Sequence, residues 1–202
     1  MGITGILLAA GRGKRFDPSG ARNKLLQAVD GSVVVVNSAR HMLAVMPRVV
    51  AVVRPGDDGV AAQLLALGCD VTVCESADSG MAASLVHALR HAEQKEAAQG
   101  WLIALGDMPR VRPATIQSLQ DALERGADIA VPVFQGRRGN PVGFTRTHLP
   151  LLLALQGDQG ARGILKNHPV HEVAVDDNGI LQDIDTPADL HPEENHEEDR
   201  TE

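Results

Sequence analysis

The stretch Ile3-Thr4-Gly5-Ile6-Leu7-Leu8-Ala9, running directly into Ala10-Gly11-Arg12-Gly13-Lys14-Arg15-Phe16, decides how this chain is read. Its first seven residues form a short continuous apolar run, the pattern of a strand buried on both faces of a parallel sheet. A glycine-rich, basic turn comes next. In open α/β sheets ligands bind beyond the carboxyl ends of strands, so this turn is a candidate binding loop. Small residues let backbone N–H groups approach an anion, and Arg and Lys add charge-assisted bonds to phosphate oxygens. Two familiar phosphate loops are excluded. A Walker loop needs Ser or Thr where Arg15 stands, and a dinucleotide fingerprint needs a small residue where Phe16 stands.

The same texture recurs further along the chain. Residues 49–53, 71–74, 101–105 and 129–133 are short apolar runs bounded by Gly, Pro or Asp. Between them, 57–67, 81–93 and 113–123 place apolar residues at helical spacing. Residues 33–45 carry four consecutive valines, which favour a strand, but Val36, Ala39, Leu43 and Met46 have helical spacing, and a helix completes the alternation. Strand–helix–strand repetition over 3–133 predicts an α/β three-layer sandwich with a mostly parallel sheet. After that the pattern changes. Residues 135–140 read as a Gly/Arg-rich turn, 141–145 as a strand and 161–167 as a short helix. Residues 171–175 and 180–184 flank Asp176-Asp177-Asn178-Gly179, which reads as a hairpin turn. No repeat or linker is visible, so residues 1–190 are read as a single domain.

Charge sharpens the picture. The chain has 202 residues and a formal net charge of −7, but residues 191–202 hold six acids and one Arg. That tail is apolar-poor and predicted to be disordered. Within residues 12–24, by contrast, Arg12, Lys14, Arg15, Arg22 and Lys24 face one acid, Asp17. A local basic loop in an acidic protein suits a small anionic ligand, whereas a DNA duplex needs a broader basic face. Aromatic residues make up 2% of the chain, too few for a single-strand stacking platform, so no nucleic-acid partner is expected. Cys69 and Cys74 offer neither a disulfide framework nor a zinc site. The N-terminal apolar run is too short for a signal peptide or a membrane span, so the expected location is cytoplasmic, with no membrane partner.

Acids stand at two later positions of interest. Gly106-Asp107-Met108-Pro109 follows a strand, where a carboxylate can ligate a hard divalent cation that bridges phosphate oxygens. Asp183-Ile184-Asp185-Thr186-Pro187 places two carboxylates at the end of what reads as the last strand, on one face. Either could instead precede a helix as a cap. Ser79-Gly80-Met81-Ala82-Ala83-Ser84 opens a helix whose free N–H groups and hydroxyls suit a base or a phosphate, or else an ordinary cap at Asp78 or Ser79. His87 and His91 lie four apart and read as a solvated helical face. The Gly/Arg loops 136–141 and 157–162 either receive a second anion or make plain turns.

In this order the segments resemble the molybdenum-cofactor nucleotidyltransferases, the MobA/MocA-like NTP transferases. The matching residues are Leu8-Ala9-Ala10-Gly11 with Arg15, Asn23-Lys24-Leu25-Leu26, Gly80-Met81 with Ser84-Leu85, and Gly106-Asp107-Met108-Pro109. Arg138-Gly139-Asn140-Pro141-Val142, Gly157-Asp158-Gln159-Gly160-Ala161-Arg162 and Asp183-Ile184-Asp185-Thr186-Pro187 continue the series. The resemblance spans about residues 3–190. It implies the nucleotidyltransferase fold shared with glycosyltransferases of the A type, a Rossmann-like sheet. Leu8, Ala9, Ala10, Gly11, Arg12, Gly13, Arg15 and Lys24 would bind the triphosphate, with Ser79, Gly80 and Ser84 lining the base and ribose pocket. Asp107, with Asp185 or Asp183, would hold Mg²⁺, and Arg15, Lys24 and Asp107 would be catalytic. Arg138, Asn140 and Arg162 would meet the second substrate. Ala10 makes the chain look like the CTP-using, cytidylyltransferase branch, since the guanylyltransferase branch more often has Gly there. Ala82-Ala83 departs from the family by replacing a run of serines. The implied activity is transfer of CMP to the terminal phosphate of molybdopterin, with a molybdoenzyme or its chaperone as recipient. A GTP-using transferase, a cytidylyltransferase acting on a sugar or polyol phosphate, and a non-catalytic nucleotide-binding module are the other readings.

Overall fold

The computed structural model describes residues 2–56, 59–158 and 160–191. The tail expected to be disordered, 192–202, and the helix start expected at Asp57 lie outside the described residues. In chain order the elements are β1 (Ile3–Ala9), β2 (Ala28–Val29), β3 (Ser32–Val33), α1 (Val34–Leu43), β4 (Val49–Val53), α2 (Val60–Ala66), β5 (Asp70–Val73) and α3 (Met81–Lys95). They continue with β6 (Gly100–Leu105), α4 (Pro113–Glu124), β7 (Ile129–Phe134), β8 (Arg137–Arg138), β9 (Val142–Thr145), α5 (Leu149–Leu153), α6 (Arg162–Leu165) and β10 (His171–Ala174).

The main sheet runs β10-β7-β9-β6-β1-β4-β5, with β8 paired to β7. The pairs of β1 with β4 and β6, of β4 with β5 and of β7 with β10 are parallel, while β9 runs antiparallel to both neighbours. Alternation along β1 and β4 explains the layers. Ile3, Leu7, Ala9, Val49, Ala51 and Val53 enter one core with α1, α2 and α4, while Ile6, Val50 and Val52 enter the other with α3 and α5. Both faces are covered, which is why the strands are almost wholly apolar. Gly5 has no side chain because a Cβ there would lie 2.8 Å from the Met42 side chain on α1. The predicted three-layer, mostly parallel sandwich is present. The valine run begins α1, as its spacing required; only Ser32 and Val33 make a short strand before it.

The expected hairpin over 171–184 is not formed. β10 pairs in parallel with β7, and residues 178–181 form a 3-10 helix instead of a returning strand. The cause is Asp177. Its buried carboxylate accepts hydrogen bonds from the Gly179 N–H (3.0 Å), the Arg112 N–H (2.8 Å) and the Thr115 hydroxyl (2.6 Å). The Asp-Asn-Gly signal thus turns the chain onto the start of α4 rather than back along β10. Asp183 and Asp185 therefore stand on an irregular segment, not on a strand. Neither is a cap: Thr186 and Asp189 cap the 3-10 helix at Pro187–Leu190 reciprocally.

Candidate functional site

β1 and β6 end side by side, and the Gly106 N–H donates to the Leu8 carbonyl (2.8 Å), tying the basic loop to the Asp107 turn. The C-terminal segment is brought to the same place because the Ile184 N–H donates to the Asp107 carbonyl (2.8 Å). Lys24 comes from a 3-10 helix, Lys24–Leu26, in which the Asn23 side chain accepts from the Leu25 N–H (2.9 Å). Its side chain is only 9% exposed. Three segments far apart in sequence thus converge at the carboxyl ends of the central strands, where ligands of open α/β sheets bind.

A cavity of about 460 Å³ opens there. The predicted residues Leu8, Ala10, Gly11, Arg12 and Lys24 line one side; Gly80, Ser84 and Asp107 line the remainder. Ala9 instead points into the core beneath. Gly13, at φ +61°, packs on the Lys24 stem, and a Cβ there would lie 3.3 Å from its Cγ. Ser79 is exposed and is not part of the cavity wall. Gly80, rather than Asp78 or Ser79, caps α3, at φ 113° with no side-chain cap bond. A Cβ on Gly80 would collide with the Gly157 carbonyl oxygen, which also accepts from the Ala82 N–H (3.1 Å). This close approach seats the 157–158 turn on the first turn of α3.

The charges are arranged in opposed pairs. The Lys24 ammonium donates to Asp107 Oδ2 (2.5 Å) and to Asp185 Oδ1 (3.3 Å), and Arg15 meets the other Asp185 oxygen (2.7 Å). Asp107 Oδ1 is buried with no hydrogen-bond partner among the described residues. Asp183 is an exposed residue, yet its carboxyl is pushed above the ordinary range, chiefly by partial desolvation and then by the charge of Asp185 and Asp107. Arg12 forms a two-point clasp with Asp78, and Arg54 adds a bond to the same carboxylate (3.2 Å). The hydrogen bond from Arg12 is the largest influence holding Asp78 down, to about 2.

These donors fit a divalent cation. Hard carboxylate oxygens from Asp107 and Asp185, one of them the orphaned Asp107 Oδ1, suit a hard divalent cation that keeps several waters and takes few protein ligands. Among the described residues no group of three or more His, Cys, Asp or Glu side chains is gathered that could hold a metal ion, so the carboxylate pair is the whole of the candidate donor set. His87 and His91 do not share a ligand. They pair separately with Thr72 (2.8 Å) and Asp70 (3.0 Å).

A second cavity of about 260 Å³ adjoins the first and shares Leu8, Met81, Leu105 and Asp158 with it. Asn140 and Asp183 line it among apolar walls. Arg138 is elsewhere: it stands on the exposed β8 and pairs with Glu172 (2.7 Å). The side chain of Arg162 lies outside the described ones. Lys14, Asp78 and Asp158 line the first cavity although sequence reasoning did not place them in the site. Lys14 was visible in the basic loop. Asp78 was visible only as a cap candidate and Asp158 only as a loop residue, because nothing local shows that either faces the basic loop.

The likeness to known proteins agrees with this geometry. Residues 5–173 match the model of the MobA-like NTP transferase domain. Rv0371c from Mycobacterium tuberculosis H37Rv shares 32% identity and superposes with a TM-score of 0.80, covering 94% of this chain and 96% of that one. A structure of that protein in complex with manganese gives 31% identity and a TM-score of 0.77, with the same coverage. The purine catabolism protein PucB of Bacillus subtilis (strain 168) is 29% identical over 93% of each chain. No helix of the described residues is long and apolar enough to cross a membrane. With its basic loop, buried lysine and paired carboxylates at the strand ends, this chain belongs to the MobA-like NTP transferase family and is a nucleotidyltransferase.

Proposed function

We propose that this chain is a cytoplasmic enzyme that transfers CMP from CTP to the terminal phosphate of molybdopterin, with Mg²⁺ and with release of pyrophosphate. The observation that carries the reading is that Lys24, which lines the cavity beside the basic loop together with Asp107, pairs with both Asp107 and Asp185. Residues 1–190 act as the catalytic unit, and the acidic tail takes no part. A phosphate monoester is already anionic near neutral pH, so attack at the α-phosphorus needs no dedicated general base. What it needs is positioning of two mutually repelling anions and neutralisation of the developing charge. Arg12, Lys14, Arg15 and Lys24 supply that charge, and backbone N–H groups at Ala10 and Gly11 approach the phosphates. Asp107 and Asp185, with Asp183 beside them, would hold Mg²⁺, which would supply charge neutralisation at the phosphates. Ser84 and Gly80 face the base and ribose, and Ala10 favours CTP by family resemblance. Asn140 meets the acceptor from the adjoining cavity, with Arg162 as a further contact. Arg138, paired on an outer strand, has no evident route to it.

The test is pyrophosphate release with each of the four NTPs in Mg²⁺, with molybdopterin, with sugar or polyol phosphates, and with no acceptor. Release confined to CTP plus molybdopterin supports the proposal. Preference for GTP points to a guanylyltransferase, and preference for a sugar or polyol phosphate moves the acceptor class. NTP binding without release on any of these acceptors would mark a regulatory module.

A further inference from the structure

Lys24 places one buried ammonium between two carboxylates, and its freedom to leave them is limited. Its stem lies under Gly13, and its own 3-10 turn is fixed by the Asn23 side chain. Only the far end of the side chain can swing, toward the cavity that Lys24 and Asp107 both line. Arg15, the other cation on Asp185, is 77% exposed and can retire into water at little cost. Lys24 cannot. While its ammonium stays on Asp107 and Asp185, a divalent cation arriving there meets a positive charge at close range in a partly desolvated place, where repulsion is strong. A triphosphate in the cavity offers that ammonium a new partner.

We propose that Lys24 is an internal counter-ion that keeps a divalent cation off Asp107 and Asp185 until a triphosphate draws the ammonium away, so that metal and triphosphate bind as a coupled pair. This rests on the reading of Asp107 and Asp185 as the metal ligands. The coupling is reciprocal: whatever the triphosphate adds to metal affinity, the metal adds to triphosphate affinity. No base is involved, so inorganic triphosphate shows the effect as well as a nucleotide does.

The experiment titrates the full chain with Mn²⁺ and reads bound metal by water-proton relaxation, with and without inorganic triphosphate, allowing for the complex the two form in solution. The unmodified protein is expected to bind Mn²⁺ at least tenfold more tightly when triphosphate is present. Lys24→Gln should bind Mn²⁺ alone at least tenfold more tightly than the unmodified protein, whereas Lys24→Arg, which keeps the charge, should not. Adding Asp107→Asn to Lys24→Gln should abolish the gain. Equal Mn²⁺ binding by the unmodified protein and Lys24→Gln, with binding still lost on Asp107→Asn, overturns the counter-ion role and leaves the metal assignment standing. Tight Mn²⁺ binding by the double variant overturns the metal assignment and the inference with it. Should Lys24→Gln fail to fold by circular dichroism, the unmodified protein decides: an Mn²⁺ affinity indifferent to triphosphate overturns the proposal.

Discussion

At Asp107 the backbone is held from two directions, by the neighbouring Gly106 N–H on Leu8 and by Ile184 on its own carbonyl. The side chain can therefore be removed without releasing the turn. Asp107→Ala is expected to abolish turnover in Mg²⁺ while leaving the melting temperature within a few degrees, checked by pyrophosphate release and thermal melts. Lys24→Ala should cost turnover a factor on the order of 10²–10³, the scale of losing one positioned charge-stabilising donor. Arg12 presents a different case, because Asp78 competes with the phosphates for its guanidinium. Since Asp78 is held near 2, the clasp is present above the ordinary carboxylate range and weakens only as pH falls toward that value. Asp78→Asn should free Arg12 and tighten inorganic triphosphate binding several-fold, by an amount unchanged between pH 6 and 8; calorimetry at both pH values checks it. These residues also show how much of the site could be read in advance. Lys24 and Asp107 were legible from the basic segment and the strand-end acid as well as by resemblance, whereas the pairing of Lys24 with Asp107 and Asp185, and of Arg12 with Asp78, is a property of spatial neighbours, which no local motif contains.

At the scale of elements, the segment from β10 to residue 185 is where local signals and long-range structure part. Asp176-Asp177-Asn178-Gly179 has the composition of a hairpin turn, but β7 offers β10 a parallel partner, and α4 offers Asp177 two donors. Two remote hydrogen bonds and one local one outweigh the turn preference. Asp177→Ala would leave buried donors on Arg112, Thr115 and Gly179 unpaired, at a cost of about 2–4 kcal/mol. Because the same segment carries Asp183 and Asp185, activity should fall further than stability alone explains. Denaturant melts run beside kinetics measured where the variant is fully folded would show the difference. The β1 loop had no such competition. A strand followed by small and basic residues has one sensible place in an open sheet, which is why it was legible at once.

Across the whole molecule, the strand runs and helical spacings were legible because both faces of the sheet are buried at its centre, where β1, β4 and β6 are almost wholly apolar. The position of β9 was not, since antiparallel insertion between β6 and β7 depends on which edges are free when the chain returns. The two-sided burial also has a cost in acid. His87 and His148 are held below their ordinary pKa, in each case chiefly by burial and next by a neighbouring histidine. The unfolded chain therefore binds more protons than the native one once the pH drops past about 6.5, the ordinary histidine value. The melting temperature should fall as pH goes from 7.5 toward 5.5, and the slope should shrink in His87→Gln; calorimetric melts across that range check both. β9 has a consequence of its own. Reversed against its neighbours, it begins at the rim where they finish, so the turn from β7 through Asn140 leaves and rejoins the sheet at the ligand-facing rim. Residues can be gained or lost in the exposed 135–138 stretch of that turn without shifting the strand that carries the phosphate loop. Descent can thus remodel what this scaffold accepts as a second substrate while the grip on the first is inherited unchanged.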